Sequence, residues 1–329
     1  METSLDLSRW RDVPRGVNYR RGTIIFAGLK QLMRTRLFKF LLSVAWSGGL
    51  AVAALGFAFS QSVATGGWLE TWATRFGPRA EAIVTALGAF VTLYPDVVVR
   101  GVFTLIFWVH SFLAAGLTLI ALTAMVPHLI TRDRASNALT VYLSRPLTSG
   151  DYLLGKLGTI VGAIALLWTG PLLCGWLLSM LFATDRDFIV YSVTPLLRAL
   201  TFNGIAAAAL AAIALGVSAV SASSRIATTV WIALWIFVGV FAAQPRAPDW
   251  MKRSSFTHDL SEVRSEIFRV DEALSAGAVQ LPLLDQRFVQ NLTTASQKTQ
   301  PTDFNGALAS LGAFVALSSF VFLRKLRSE

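Results

Sequence analysis

The chain of 329 residues holds a single cysteine, Cys174. One cysteine cannot form an intrachain disulfide or a cysteine-based metal site, and its apolar neighbours read as those of a small buried hydrophobe. Histidine is scarce too: His110, His128 and His258 stand far apart, and no pair has metal-ligand spacing. No nucleophile elbow, paired-histidine zinc motif or pair of carboxylates inside an apolar run is present. That excludes the usual chemistry of a membrane hydrolase and of a carrier driven through a buried acidic relay. Charge is sparse, 15% of residues against 54% hydrophobic, with a mean hydropathy of +0.58. A soluble domain rarely combines so few charges with so many apolar residues.

What is present is a series of apolar runs that reach the ~20 residues a bilayer requires. The net charge is +10, but the basic residues flank these runs, so a membrane accounts for them and nucleic acid does not. Residues 1–36 read as a basic arm followed by an interfacial helix. Ile25, Leu29, Leu32, Met33 and Arg36 follow helical spacing, with Lys30, Gln31 and Arg34 opposite. Such a helix suits the headgroup layer, although an extended start of the first span has the same pattern. Residues 37–126 carry spans one (37–60) and two (101–126), joined by an outer connection at 61–100. Within that connection, 80–94 is apolar but short of a full span.

Residues 127–152 are polar, basic and turn-rich. Residues 153–243 carry spans three (153–183), four (196–222) and five (226–243). Gly170-Pro171 is expected to kink the third. Residues 244–304 form the largest hydrophilic segment, and 305–329 the last span and a basic end. Leu260, Val263, Ile267, Val270 and Leu274 repeat at helical spacing and need a partner surface, most simply on the same chain. His110 and Asn203 lie inside spans two and four; intramembrane polar residues are functional candidates by default, though a lone neutral histidine with a hydrogen-bonding neighbour is commoner.

Residues 127–156, PHLITRDRASNALTVYLSRPLTSGDYLLGK, draw the most attention. The opening half has helical spacing, Arg145-Pro146 stops it, and Thr148 to Asp151 can cap the next helix. A short helix bounded by proline and glycine between two spans must lie at an aqueous face. It is either a docking element or an ordinary connection. Gly150 to Lys156 also fits the start of a phosphate-binding loop. No strand precedes it, however, and Leu157 occupies the place where a hydroxyl must reach magnesium. Lys156 reads instead as an anchor at the headgroup level.

The wording Leu129-Ile130-Thr131-Arg132-Asp133, Asn137-Ala138-Leu139, Tyr142-Leu143, Ser144-Arg145-Pro146-Leu147 and Gly155-Lys156 resembles the cytoplasmic connection between spans two and three of type-2 ABC transporter permeases. The resemblance is strong over these 30 residues; elsewhere it is one of span order. It implies an all-α membrane protein with six transmembrane helices, an N-terminal interfacial helix, a cytoplasmic coupling helix and a long extracytoplasmic loop. It further implies that Asp133, Asn137, Leu139 and Tyr142 face a separate ABC ATPase subunit, present in two copies. Arg145 and Pro146 would set the exit angle, and Gly155 would allow close packing at the start of span three.

A second permease subunit, identical or related, would complete the assembly among membrane lipids. This chain would be a non-catalytic subunit that binds no cofactor; ATP and Mg would sit in the ATPase. Lys and Arg concentrate in 1–39, 127–156 and the last residues, which places both termini in the cytoplasm; with the resemblance, the expected location is a bacterial inner membrane. The apolar spans fit a lipid-like or amphipathic cargo, and equally fit spans that only pack together. The alternative is a membrane scaffold or assembly subunit whose loop 244–304 binds an extracytoplasmic partner. A secondary transporter would show internal repeats, and none is visible.

Overall fold

The computed structural model describes residues 16–63, 68–131, 148–181, 183, 186–244, 246–280 and 303–327. Every regular element among the described residues is helical. A bilayer demands this, because spanning segments must satisfy their own amide groups where no water is available. The order is α1 (Val17–Leu32), α2 (Arg36–Val63), α3 (Trp68–Phe76), α4 (Pro78–Leu93) and α5 (Pro95–Leu129). Then come α6 (Ser149–Ile164), a π turn (Ala165–Thr169), α7 (Gly170–Leu181), α8 (Arg186–Val220), α9 (Ser224–Ile232), a second π turn (Ala233–Phe237) and α10 (Val238–Ala242). The chain closes with α11 (Asp249–Arg253), α12 (Phe256–Phe268), α13 (Val270–Gln280) and α14 (Phe304–Arg327).

Six stretches are long and apolar enough to cross a membrane: Arg36–Ser62, Pro95–Leu129, Gly150–Leu181, Arg186–Val220, Ser224–Ala242 and Phe304–Lys325. An even number of crossings returns the chain to the end of the bundle from which it set out. We call that end, where α1, Thr131 and Thr148 lie, the proximal end. The α4 helix is not among the six; its 16 residues span only about 24 Å. It folds back from α3 at Gly77, whose φ of 101° is open to glycine at little cost, with Pro78 starting the new helix.

Local chemistry explains the boundaries. Thr35 accepts from the Phe38 amide to start α2, and Pro95 opens α5. Pro171 has no N–H to donate. The helix before it widens, and the Gly170 amide reaches back to the Ala165 carbonyl, so a π turn stands where the kink is expected. Apolar runs mark spans two and four at 101–126 and 196–222, but their helices begin at Pro95 and Arg186 and each has 35 residues. At about 52 Å they outrun a ~30 Å hydrocarbon core. Hydropathy detects the stretch that meets lipid, whereas hydrogen bonding carries on beyond the surface. Asn203, expected in the first two turns of its span, therefore lies about five turns into α8.

The core is built around α8. From Ala209 to Ala219 every residue is buried, and its small side chains admit α5 and α14 closely. A Cβ on Gly216 would stand 2.7 Å from Ser318 Cβ. The glycines of the first span serve the same end. A Cβ on Gly48 would meet Leu113 Cδ2 at 2.6 Å, one on Gly56 would meet Ser179 Cβ at 2.6 Å, and one on Gly49 would meet the Pro171 carbonyl oxygen at 2.5 Å.

The segment 244–304 does not hang free where it is described. The Phe256 ring stacks on Trp231, which is seven residues from the start of α9, about 10 Å along that span. From there α12 climbs back toward the distal end. The Arg264 guanidinium lies 3.9 Å from the centre of the Phe112 ring and 5.3 Å from that of Phe202. Arg198 donates to the Phe268 carbonyl at 3.4 Å. Arg264 is 8% exposed; burial pulls its guanidinium down to about 10, so it stays charged at neutral pH and the ring faces stabilise it. Arg253 binds Asp259, Glu262 and Asp303 and ties α11, α12 and the start of α14 together. The left-handed Arg269, at φ 45°, ends α12 and divides the expected five-position apolar repeat between two helices. Leu260 and Val263 are buried against the chain's own bundle.

The α2–α7 seam yields a test. Gly49→Ala should cost about 1–3 kcal/mol, because the atom it strikes is backbone and cannot turn aside. Gly116→Ala, which meets nothing within 4 Å, should be neutral. Thermal unfolding in detergent compares them; equal melting temperatures would refute the close approach.

Candidate functional site

Residues 132–147, and with them Asp133, Asn137, Leu139, Tyr142, Arg145 and Pro146, lie outside the described residues. The two points where this connection leaves and rejoins the bundle are described, and both are moored.

The leaving point is the end of α5. A helix ends with carbonyls that lack intrahelical donors, and near a bilayer such groups are costly if left alone. The Pro127 carbonyl accepts from Ser224 Oγ at 3.0 Å and from Thr131 Oγ1. The Ile130 amide donates to Ser218 Oγ at 3.1 Å, and Thr131 and Ser224 hydroxyls lie 3.3 Å apart. Ile130 and Thr131 are buried. The exit from α5 is thereby fastened to the turn between α8 and α9. Sequence reasoning assigned a role to neither Ser218 nor Ser224. Their signal was a run of serines at a helix end, which many turns share.

The rejoining point is the start of α6. Thr148 Oγ1 accepts from the Asp151 amide at 3.2 Å, and Asp151 Oδ2 accepts from the Thr148 amide at 3.2 Å and from its hydroxyl at 2.8 Å. This is a reciprocal cap, formed within the turn that the sequence marks for it. The other oxygen, Oδ1, accepts from Arg21 Nε at 2.8 Å and Nη2 at 2.5 Å. The Asp151 side chain is almost fully covered and that of Arg21 about a third exposed. One carboxylate thus caps α6 and fastens α1 to it.

Above this pair α1 runs beside α6 in the same direction. A Cβ on Gly155 would stand 2.8 Å from Ile24 Cγ2, one on Gly158 2.5 Å from Ile25 Cδ1, and one on Gly162 3.1 Å from Leu29 Cδ1. In return, one on Gly28 would stand 2.5 Å from Thr159 Cγ2. Spacing of three then four residues puts Gly155, Gly158 and Gly162 on one face, and the absence of side chains makes it a groove. Gly155 does provide close packing, and the partner is α1. Gly158 and Gly162 escaped notice, although their spacing was there to be read. Lys156 turns out of the groove. Its Nζ lies 5.5 Å from the centre of the Tyr152 ring, and with His128 it borders a cavity between α1, α2, α5 and α6.

His110 and Asn203 do not join this site. They are 19 and 17 residues from the proximal ends of α5 and α8, about 28 and 26 Å along each helix. Both are buried, and His110 Nδ1 and both amide atoms of Asn203 have no hydrogen-bond partner among the described residues. Among the described residues no group of three or more His, Cys, Asp or Glu could hold a metal ion. The arrangement at the proximal end can pass a displacement of residues 132–147 to α5, α8, α6 and α1.

A family model described as "ABC-2 family transporter protein" matches residues 82–325, about three quarters of the chain. It takes in both moorings except Arg21 and the rest of α1. No curated protein matches the chain.

Each mooring can be released singly. Thr148→Val keeps the volume but loses the cap, at about 1 kcal/mol, and Ser218→Ala removes the acceptor of the Ile130 amide, at a similar cost. Hydrogen exchange should quicken at residues 150–152 in the first variant and at 130–131 in the second. Unaltered protection would show that the bonds do not hold these ends.

Proposed function

Since the chain belongs to the ABC-2 family of transporter proteins, we propose that it is the permease subunit of an ATP-driven exporter, worked through residues 132–147 by a separate ATPase. Membership of this family makes it an integral membrane protein and a permease-type chain, with an ABC ATPase as partner. The observation that carries the mechanism is the double mooring. A segment fastened at one end to the α8–α9 turn and at the other to α1 and α6 cannot shift without moving the helices that form the core.

In this reading two copies of the ATPase dock under two permease chains, identical or related. Asp133, Asn137, Leu139 and Tyr142 meet the ATPase, and Arg145 and Pro146 set the angle at which the chain turns toward Thr148. ATP and Mg stay in the ATPase, and this chain contributes no catalytic group. Closure of the ATPases favours one of two arrangements of the bundle, and coupling is the difference in free energy between them. The proximal end then faces the cytoplasm of a bacterial cell, with both termini there and α1 at the headgroup layer. The cargo is lipid-like or amphipathic, in keeping with apolar spans. The scaffold alternative, in which 244–304 captures an external partner, is weakened by α12, which turns its apolar face to its own bundle.

Two variants test the reading. Asp133→Lys should insert normally yet lose co-purifying ATPase. Arg21→Glu should keep the ATPase bound but lower stimulated ATP hydrolysis at least about fivefold, while Arg21→Lys, which keeps the charge opposite Asp151 and leaves the cap intact, should retain most of it. Wild-type stimulation in Arg21→Glu, or unchanged co-purification of Asp133→Lys, counts against the assignment.

A further inference from the structure

The hairpin of α3 and α4 is rooted at both ends where the bundle leaves hydrocarbon on the distal side. The apolar run of the first span ends at residue 60 and α2 at Val63, about 5 Å further along the helix. The apolar run of the second span begins at residue 101 and α5 at Pro95, about 9 Å earlier. Headgroups add about 5–8 Å on each face of a bilayer, so the hairpin leaves α2 and joins α5 in or just above that layer.

What stands between the two roots is not built for water. Residues 82–94 hold no charged residue, yet Ile83 and Leu93 are more than half exposed and Tyr94 is exposed as well. On α3, Trp72 and Phe76 lie one turn apart with ring centres 4.8 Å from each other, and both are more than half exposed. The exposed threonines are satisfied within their own helices. Thr74 Oγ1 donates to the Thr71 carbonyl at 2.8 Å, Thr85 Oγ1 to that of Glu81 at 2.8 Å, and Thr92 Oγ1 to that of Gly88 at 2.9 Å. These hydroxyl protons ask nothing of solvent. Charge returns near the turn at Gly77, with Arg75, Arg79 and Glu81.

A docked protein would cover one patch, whereas the exposed apolar groups here run along both helices from roots that already touch the bilayer. Aromatic rings beside basic residues are the composition of a headgroup boundary. We propose that α3–α4 is a hairpin embedded in the distal leaflet, with Trp72, Phe76, Ile83 and Leu93 sunk about 5–10 Å into the boundary of headgroups and acyl chains. Arg75 and Arg79 lie among the phosphates. The hairpin acts as a float that holds the distal ends of α2 and α5 at one depth. This requires only that the chain span a membrane; neither an ATPase nor a direction of transport enters.

The test uses the full chain in phosphatidylcholine nanodiscs without an ATPase. Cys174→Ser removes the native thiol, and Ile83→Cys or Leu93→Cys then carries a bimane label. Quenching by phosphatidylcholine with a nitroxide high on its acyl chain is compared with quenching by aqueous iodide. Leu317→Cys, exposed midway along α14, supplies the lipid-facing reference. The nitroxide lipid should quench both hairpin sites at least about threefold more than iodide does. Stronger quenching by iodide puts the hairpin in water, and protection from both quenchers puts it against protein, a second copy included; either result overturns the proposal. Both positions are exposed, so the label displaces no packed neighbour. Melting temperatures establish that each variant is folded, and should one fail to fold the other decides. Because the ATPase is absent, failure here leaves the coupling mechanism standing, and failure of coupling leaves this result intact.

Discussion

The carboxylate of Asp151 is the point on which the proximal end depends. One oxygen closes the cap of α6, and the other receives Arg21 from a helix 130 residues earlier in the chain. As an ion pair with one partner a third exposed, it contributes little stability by itself. Its importance is positional. With Arg21 held at Asp151, the side chains of Ile24, Ile25 and Leu29 fall over Gly155, Gly158 and Gly162. A slip of one residue along α1 would swing that apolar face about 100° out of the groove. The pair therefore selects a register, and close packing along the groove stabilises it.

The opposite mooring rests on a different constraint. Near hydrocarbon, a backbone group without a partner is costly, and the last turn of α5 offers several. Ser218, Ser224 and Thr131 supply hydroxyls that meet them. Because Ser218 lies on α8, the most buried helix, whatever moves the exit of α5 also bears on the centre of the bundle. Coupling along this route is a physical expectation only where an element has two discrete arrangements. The π turns at Ala165–Thr169 and Ala233–Phe237 and the left-handed residue at Arg269 are places where the described helices already depart from regular geometry.

The distal half follows the same economy of polar groups in another form. Charges that the bundle must cover are matched before they are buried. Arg253 gathers three carboxylates from neighbouring elements, and Arg264, which meets no carboxylate among the described residues, lies against two aromatic rings. The hydrophilic composition of 244–304 suggested a loop in water. In the structure, α12 uses its one apolar stripe to return along the spans, and its charged residues are paired with Arg253 and Arg269 or stacked on rings.

Much could be read from residue order alone. Apolar runs of bilayer length fixed the class and the six spans, because a membrane imposes length and hydropathy on each helix independently of its neighbours. Thr148 to Asp151 announced a cap because capping is local chemistry within one turn. The wording of 127–156 pointed to the family that the chain proves to belong to. Span limits, the reach of α5 and α8 beyond the core, and the mid-helix place of Asn203 were not legible, since composition changes at the membrane surface while the helix does not. Nor could order alone pair Arg21 with Asp151, Ser218 with Ile130, or Phe256 with Trp231. Each of those contacts joins residues far apart in the chain, and only the packing of whole helices decides which side chains meet.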